Sequence, residues 1–174
     1  MTVRRLLPAD VAAYRALMLE AYANDPDAFT SSVAERAALP LSWWERRLDP
    51  EPDAEEISWG AFVDAALVGV VGLGFRMREK ERHKAHLFGM YVQPAFRRSG
   101  LGRVLVDAAL AGARLRPGLR VITLTVTEGN LAAEALYARC GFERFGVEPL
   151  AVVDRGRDFN KVHMACVLDG GSVH

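Results

Sequence analysis

Residues 97 to 103 read Arg-Arg-Ser-Gly-Leu-Gly-Arg, at the point where a strand-like run, "LFGMYVQP", gives way to a helix-like one, "LGRVLVDAAL". A joint of this kind suits an anion. The first N–H groups of a helix have no partner inside it, and the helix dipole adds partial positive charge there. A preceding loop that turns its own N–H groups inward completes a cradle for phosphate. Gly100 and Gly102 remove the Cβ where the anion would come closest. Arg97, Arg98 and Arg103 add full charge, and Ser99 and Leu101 belong to the same cradle. A tight turn flanked by solvated arginines explains the two glycines equally well. The stretch is not a Walker A loop, since no Gly-Lys-Ser/Thr follows. Nor is it a dinucleotide fingerprint, because Leu105 stands where the third glycine would be. A second set, Asn130, Ala133 and Tyr137, falls at i, i+3 and i+7 and so shares one helix face. On spacing alone, a core aromatic on an amphipathic helix is the preferred account of Tyr137.

The surrounding pattern alternates strands and helices. Val3–Leu7 reads as a short strand, and Pro8 and Asp10 open a helix with Val11, Tyr14, Met18, Ala21 and Tyr22 on one face. Residues 29 to 48 form a second helical region, broken at Pro40 and carrying Trp43 and Trp44. Ile57–Val63 and Leu67–Met77 read as a hairpin around a glycine-free "DAA" turn, and Ala85–Gln93 as the next strand. The helix from Gly100 to Leu115 has Leu101, Val104, Leu105, Ala108 and Leu115 at helical spacing, with Pro117 and Gly118 stopping it. Val121–Val126 is a β-branched strand, Asn130 caps a helix that Gly141 closes, and Phe142–Val147 and Phe159–Leu168 are two final strands. Residues 1–169 form one domain and 170–174 a frayed tail.

Composition bounds the function. Half the 174 residues are apolar, and 22 basic residues balance 22 acidic ones. Zero net charge argues against sequence-independent nucleic-acid binding. The charge run "RMREKERHK" is read as a solvated hairpin tip. Cys140 and Cys166 lack CxxC spacing, and the four histidines show no ligand spacing with them, so two reduced thiols and no metal are expected. No signal peptide and no membrane span are visible, which gives an expectation of a cytoplasmic protein without a membrane partner.

The glycine joint resembles a family signature. Arg97-Arg98-Ser99-Gly100-Leu101-Gly102 is similar to the R/Q-x-x-G-x-G/A signature of the GNAT-type N-acetyltransferases. "LFGMYVQP" resembles that family's preceding strand, and "NLAAEALYARCGF" its Asn-initiated helix ending in Tyr-x-x-x-Gly-Phe. The order of elements agrees along the whole chain, with specificity concentrated in residues 85–142. The resemblance implies a mixed α/β fold: a mostly antiparallel sheet of six to seven strands, about four flanking helices, and a splay at the central cofactor strand. It implies acetyl-CoA as co-substrate, no metal, and an amine acceptor on a small molecule or an exposed protein. It leaves room for a homodimer. A non-catalytic acyl-CoA sensor on the same fold is the alternative.

Within that resemblance, the signature cradles the pyrophosphate. Met90, Tyr91 and Val92 offer backbone groups to the pantetheine arm, and a backbone N–H there faces the acetyl oxygen. Asn130 and Ala133 line the arm's path. Tyr137 lies beside the sulfur as general acid, because a phenol near pKa ~10 remains a donor to a thiolate whose acid has pKa ~8.5. An alkylamine of pKa ~10.4 is neutral roughly once in 2,500 molecules at pH 7, a penalty of roughly 4–5 kcal/mol, so a base is needed. Many relatives carry Glu on this strand; here His86 stands near that place. A strand histidine satisfied by a neighbour explains His86 equally well, and Glu128 is a weaker candidate base. Phe29, Trp43 and Trp44, with Tyr91 opposite, are candidates for the acceptor pocket, and "RDFNKVHM" for its closure. Core packing is the preferred role for both tryptophans.

Overall fold

Apolar runs alternating with amphipathic ones produce seven strands and five helices, seen in a computed structural model that describes residues 1 to 168. The expected frayed tail lies outside the described residues. The strands are β1 (Thr2–Arg5), β2 (Glu56–Val63), β3 (Ala66–Phe75), β4 (Lys84–Val92), β5 (Val121–Thr127), β6 (Glu143–Asp154) and β7 (Arg157–Val167). The helices are α1 (Val11–Asn24), α2 (Val33–Ala37), α3 (Leu41–Arg46), α4 (Leu101–Arg114) and α5 (Leu131–Arg139). One sheet holds all strands in the order β1-β2-β3-β4-β5-β7-β6. Every neighbouring pair is antiparallel except β4 with β5. This is the expected mixed α/β architecture.

Two apolar cores lie on the two faces. Leu101, Leu105, Val106, Ala109, Leu110 and Ala113 of α4 pack with Val71, Leu73, Leu87 and Leu124. Tyr14, Leu17, Met18 and Ala21 of α1 pack with Trp44, Val70 and Tyr91 on the other face. Val70 and Val71 are neighbours in sequence yet belong to opposite cores, as the period of two in a strand requires. Trp44 has no exposed surface and meets Tyr14 edge to face at 5.8 Å. We expect Trp44→Ala to destabilise the fold by about 3–5 kcal/mol, read as a lower midpoint of denaturant unfolding at unchanged m-value.

The "DAA" turn is a hairpin without glycine: Asp64 and Ala65 both take left-handed backbone angles, φ 48° and 65°. β6 runs past its expected end at Val147 to Asp154. Its pairing with β7 lapses between Glu148 and Val152, where Leu150 has φ 51°, and resumes to a tight turn at Arg155 and Gly156. No helix among the described residues is long and apolar enough to cross a membrane.

Two features of β4 shape the site. Its parallel ladder with β5 covers only Lys84↔Val121, Ala85↔Ile122 and His86↔Thr123, after which the strands part. On its other edge, Val70 pairs with Tyr91 but Gly72 pairs with Phe88, so β4 carries one extra residue opposite Val71. Gly89 provides the left-handed angle that this bulge needs, φ 63°. Without it, Tyr91 would share a face with Ala85 and Leu87; the bulge turns Tyr91 to the α1 core instead.

Candidate functional site

A cavity of ≈ 310 Å³ opens where β4 and β5 part. His86, Phe88, Gly89 and Met90 of β4 form one wall and Leu124–Thr127 of β5 another. α5 contributes Ala133, Leu136 and Tyr137, with Asn130 at its start. Tyr22, Phe29, Arg36, Arg47 and Lys161 complete it. The sheet must separate for this space to exist, and the bulge at Gly89 and Met90 leaves these two residues without a ladder partner on either edge.

Tyr137 is 7% exposed, its ring edge to face with Phe142 at 5.9 Å. Among the described residues no group hydrogen-bonds its hydroxyl, which is left to the cavity. Burial pushes the phenol well above its ordinary pKa, so it remains a proton donor across the neutral range. His86 Nδ1 lies 3.3 Å from Thr123 Oγ1, on the last pair before the strands part. Burial first, then the electrostatic influence of Arg76 and His163, lowers the imidazole's pKa, which favours the neutral ring. With Nδ1–H donating to Thr123, the Nε2 lone pair is free to accept a proton. Asn130 caps α5, its Oδ1 accepting from Ala133 N at 3.3 Å.

The glycine joint forms a separate end of the site, since none of residues 97–103 lines the cavity. Arg98 and Gly100 both have left-handed angles, φ 61° and 82°, and Gly100 starts α4 with no side-chain cap. A Cβ at Gly100 would face open space, whereas one at Gly102 would meet Leu136 and Met90 side chains at 3.2 Å each. Gly100 is therefore needed for its backbone angle and Gly102 for the approach of α5. The arginines also divide. Arg97 Nε donates to Val92 O at 2.9 Å and its guanidinium pairs with Asp25 at 2.7 Å, bracing the loop. Arg103 sits 3.6 Å from Asp107, and Arg98 is exposed with no carboxylate partner among the described residues. Ser99 Oγ donates to Phe96 O at 2.6 Å, and Leu101 is buried, so it offers its backbone alone.

Other expected residues fall elsewhere. Tyr91 is in the α1 core with Asn24 Nδ2 donating to its hydroxyl, and Val92 packs under α4; neither lines the cavity, while Met90 does. Trp44 is core, and Trp43 supports Arg36 and Arg47 at 4.5 and 4.3 Å. Glu128 accepts from Asn160 at 2.8 Å and lies off the cavity. Sequence reasoning missed Arg36, Arg47 and Lys161 as individual residues, although Lys161 stands within the "RDFNKVHM" segment. The only available signal was a lysine at an inward position of a strand.

The comparisons decide the family. Residues 16–142 match the acetyltransferase (GNAT) family. The chain belongs to that family. Mycothiol acetyltransferase of Salinispora tropica is 32% identical over 145 residues, 83% of this chain and 45% of that protein. The chain thus spans about half the length of the mycothiol acetyltransferases it matches. The ribosomal protein bS18-alanine N-acetyltransferase of Salmonella typhimurium is 30% identical over 119 residues, 65% of this chain and 80% of that protein. A GNAT acetyltransferase from Streptococcus pneumoniae superposes with TM-score 0.84 at 26% identity, covering 95% of this chain and 98% of that one. The fold is also that of yncA from Salmonella typhimurium, solved with acetyl-CoA: TM-score 0.81, 24% identity, 100% and 97% coverage. Family and fold therefore agree along the chain. The residues present fit acetyl-CoA on two local grounds: an uncapped, open helix start beside an unpaired arginine, and a parted strand edge leading from it.

Proposed function

We propose that the chain transfers the acetyl group of acetyl-CoA to a primary amine, on a small molecule or an exposed protein, with residues 1–169 acting as one catalytic domain. When bound, acetyl-CoA supplies the thioester carbon that the amine attacks. The free N–H groups at the start of α4, with Arg98 and Arg103, hold phosphate; Arg97 keeps the loop in place through Asp25 and Val92. Met90 presents backbone where β4 has no strand neighbour, and Tyr91 and Val92 anchor that bulge in the two cores. Ala133 keeps the α5 face low and Asn130 fixes its first turn. Tyr137 gives its proton to the departing sulfur and His86 takes one from the amine, directly or through water.

One observation carries this reading: a buried phenol with no protein partner and a neutral imidazole share one cavity, at the point where the sheet parts. Release of free thiol from acetyl-CoA across a panel of amines tests it; no release with any amine would overturn it. Gly102→Val should displace Leu136 and Met90, which a Cβ there would meet at 3.2 Å. Acetyl-CoA affinity should fall at least roughly tenfold by calorimetry, with the circular dichroism of the fold kept. Unchanged affinity would remove the joint from the binding site.

A further inference from the structure

Three cations line the cavity, and two of them, Arg36 and Lys161, form no ion pair among the described residues. Arg36 enters from α2, Arg47 from the end of α3 and Lys161 from β7, and among the described residues no Asp or Glu lines the cavity. Arg47 is balanced by Glu56 at 3.4 Å. Among the described residues Arg36 has no carboxylate within ion-pair distance and its buried Nε has no hydrogen-bond partner; its neighbour Glu35 accepts from the Ser32 N–H in the α2 capping box. Its guanidinium rests only on the rings of Trp43 and Tyr22, at 4.5 and 5.9 Å. Lys161 is more than nine-tenths buried, and its Nζ donates to Thr127 Oγ1 at 3.1 Å. The carboxylate opposite it across the ladder, Glu148, favours its charge from a distance but lies 2.8 Å from His163 Nε2, and burial outweighs it, holding the lysine's pKa below its ordinary value. A buried lysine and a half-buried guanidinium whose Nε lacks a hydrogen-bond partner are costly where no carboxylate pairs with them, and an anionic ligand offsets that cost.

We propose that the acceptor is a small primary amine that also carries a carboxylate, an amino acid or close analogue, with the carboxylate held by Arg36 and Lys161 over the Phe29, Tyr22 and Phe88 surface. The proposal rests on the acetyltransferase reading and narrows its substrate class. The cavity volume suits a molecule of that size. A polyamine would meet like charge, which disfavours it. The cofactor phosphates do not account for these cations, because the α4 joint that fits them lies outside the cavity.

The test uses the protein saturated with coenzyme A. N-acetyl-L-amino acids are titrated calorimetrically, each against its carboxamide, with N1-acetylspermidine as the cationic probe. At least one acid should bind at least roughly tenfold tighter than its carboxamide, and acetylspermidine should not compete. Arg36→Gln and Lys161→Met should abolish the acid–amide difference, Arg36→Lys should retain part of it, and acetyl-CoA affinity should remain within about twofold of wild type. The wild-type comparison stands even where a variant fails to fold. Equal binding of acid and carboxamide, tighter binding of acetylspermidine, or no binding by any acid would overturn the proposal. Acids that bind while the parent amino acids release no thiol would leave the anion site standing and defeat the acetyltransferase reading instead.

Discussion

Tyr137→Phe should lower kcat by ~10²–10⁴ while leaving acetyl-CoA affinity nearly unchanged. The ring can stay where it is, edge to face with Phe142, since only the oxygen is lost. No protein group uses that oxygen among the described residues, so its removal leaves no orphaned partner and should cost little stability. The loss would fall on the transition state, where a thiolate leaves and needs a proton, and corresponds to roughly 3–5 kcal/mol of barrier. Because burial holds the phenol's pKa well above its ordinary value, the wild-type alkaline limb should not come from Tyr137. A thiol analogue whose leaving group has a low pKa needs less proton donation and should narrow the gap between the two enzymes. Wild-type turnover in the Phe variant would assign Tyr137 to the core alone.

His86→Gln should change the shape of the pH profile as well as its height. A general base works when unprotonated, so kcat/KM should fall as pH drops through the free-enzyme pKa of the ring. Burial, then Arg76 and His163, lower that pKa, which places the acid bend below the ordinary histidine value of ~6.5. Glutamine can replace the bond to Thr123 but takes up no proton. The variant should therefore lose the bend, turn over more slowly at pH 7, and follow the titration of the amine itself. The effect should shrink for acceptors of low amine pKa. No carboxylate lines the cavity among the described residues, so a retained bend in His86→Gln for a high-pKa amine would point to Lys161, whose pKa burial lowers, or to a group carried by the acceptor.

Much of the molecule was legible in local pattern. The helical spacing of Val11, Tyr14, Met18, Ala21 and Tyr22 predicted a buried face on α1; the last four are in its core and Val11 is half-buried against it. The β-branched run before Asn130, the Asn cap and Gly141 predicted a strand followed by a short helix, because caps and left-handed stops act within one turn. The glycine joint was legible for the same reason: an uncapped helix start is a local property, and Gly100 supplies the left-handed angle at the N-cap of α4.

What the sequence did not contain was distance across the sheet. That β4 and β5 part after His86 and Thr123 depends on a one-residue bulge at Gly89 and on which strands become neighbours, and no pattern within either strand encodes it. The same is true of the division among the arginines. Arg97 pairs with Asp25, 72 positions earlier, and so became a brace rather than a free cation. Arg36 and Lys161 stand 125 residues apart in the chain, and each looks like an ordinary surface charge when read alone. Tertiary structure brings both to the lining of one cavity, because strand pairing sets β7 beside β5 while α2 packs against α1. Local sequence determined the elements and the glycine joint before α4; only the packing of strands and helices decided where the sheet opens and which charges face the opening, since burial and neutralisation are properties of what lies nearby in space.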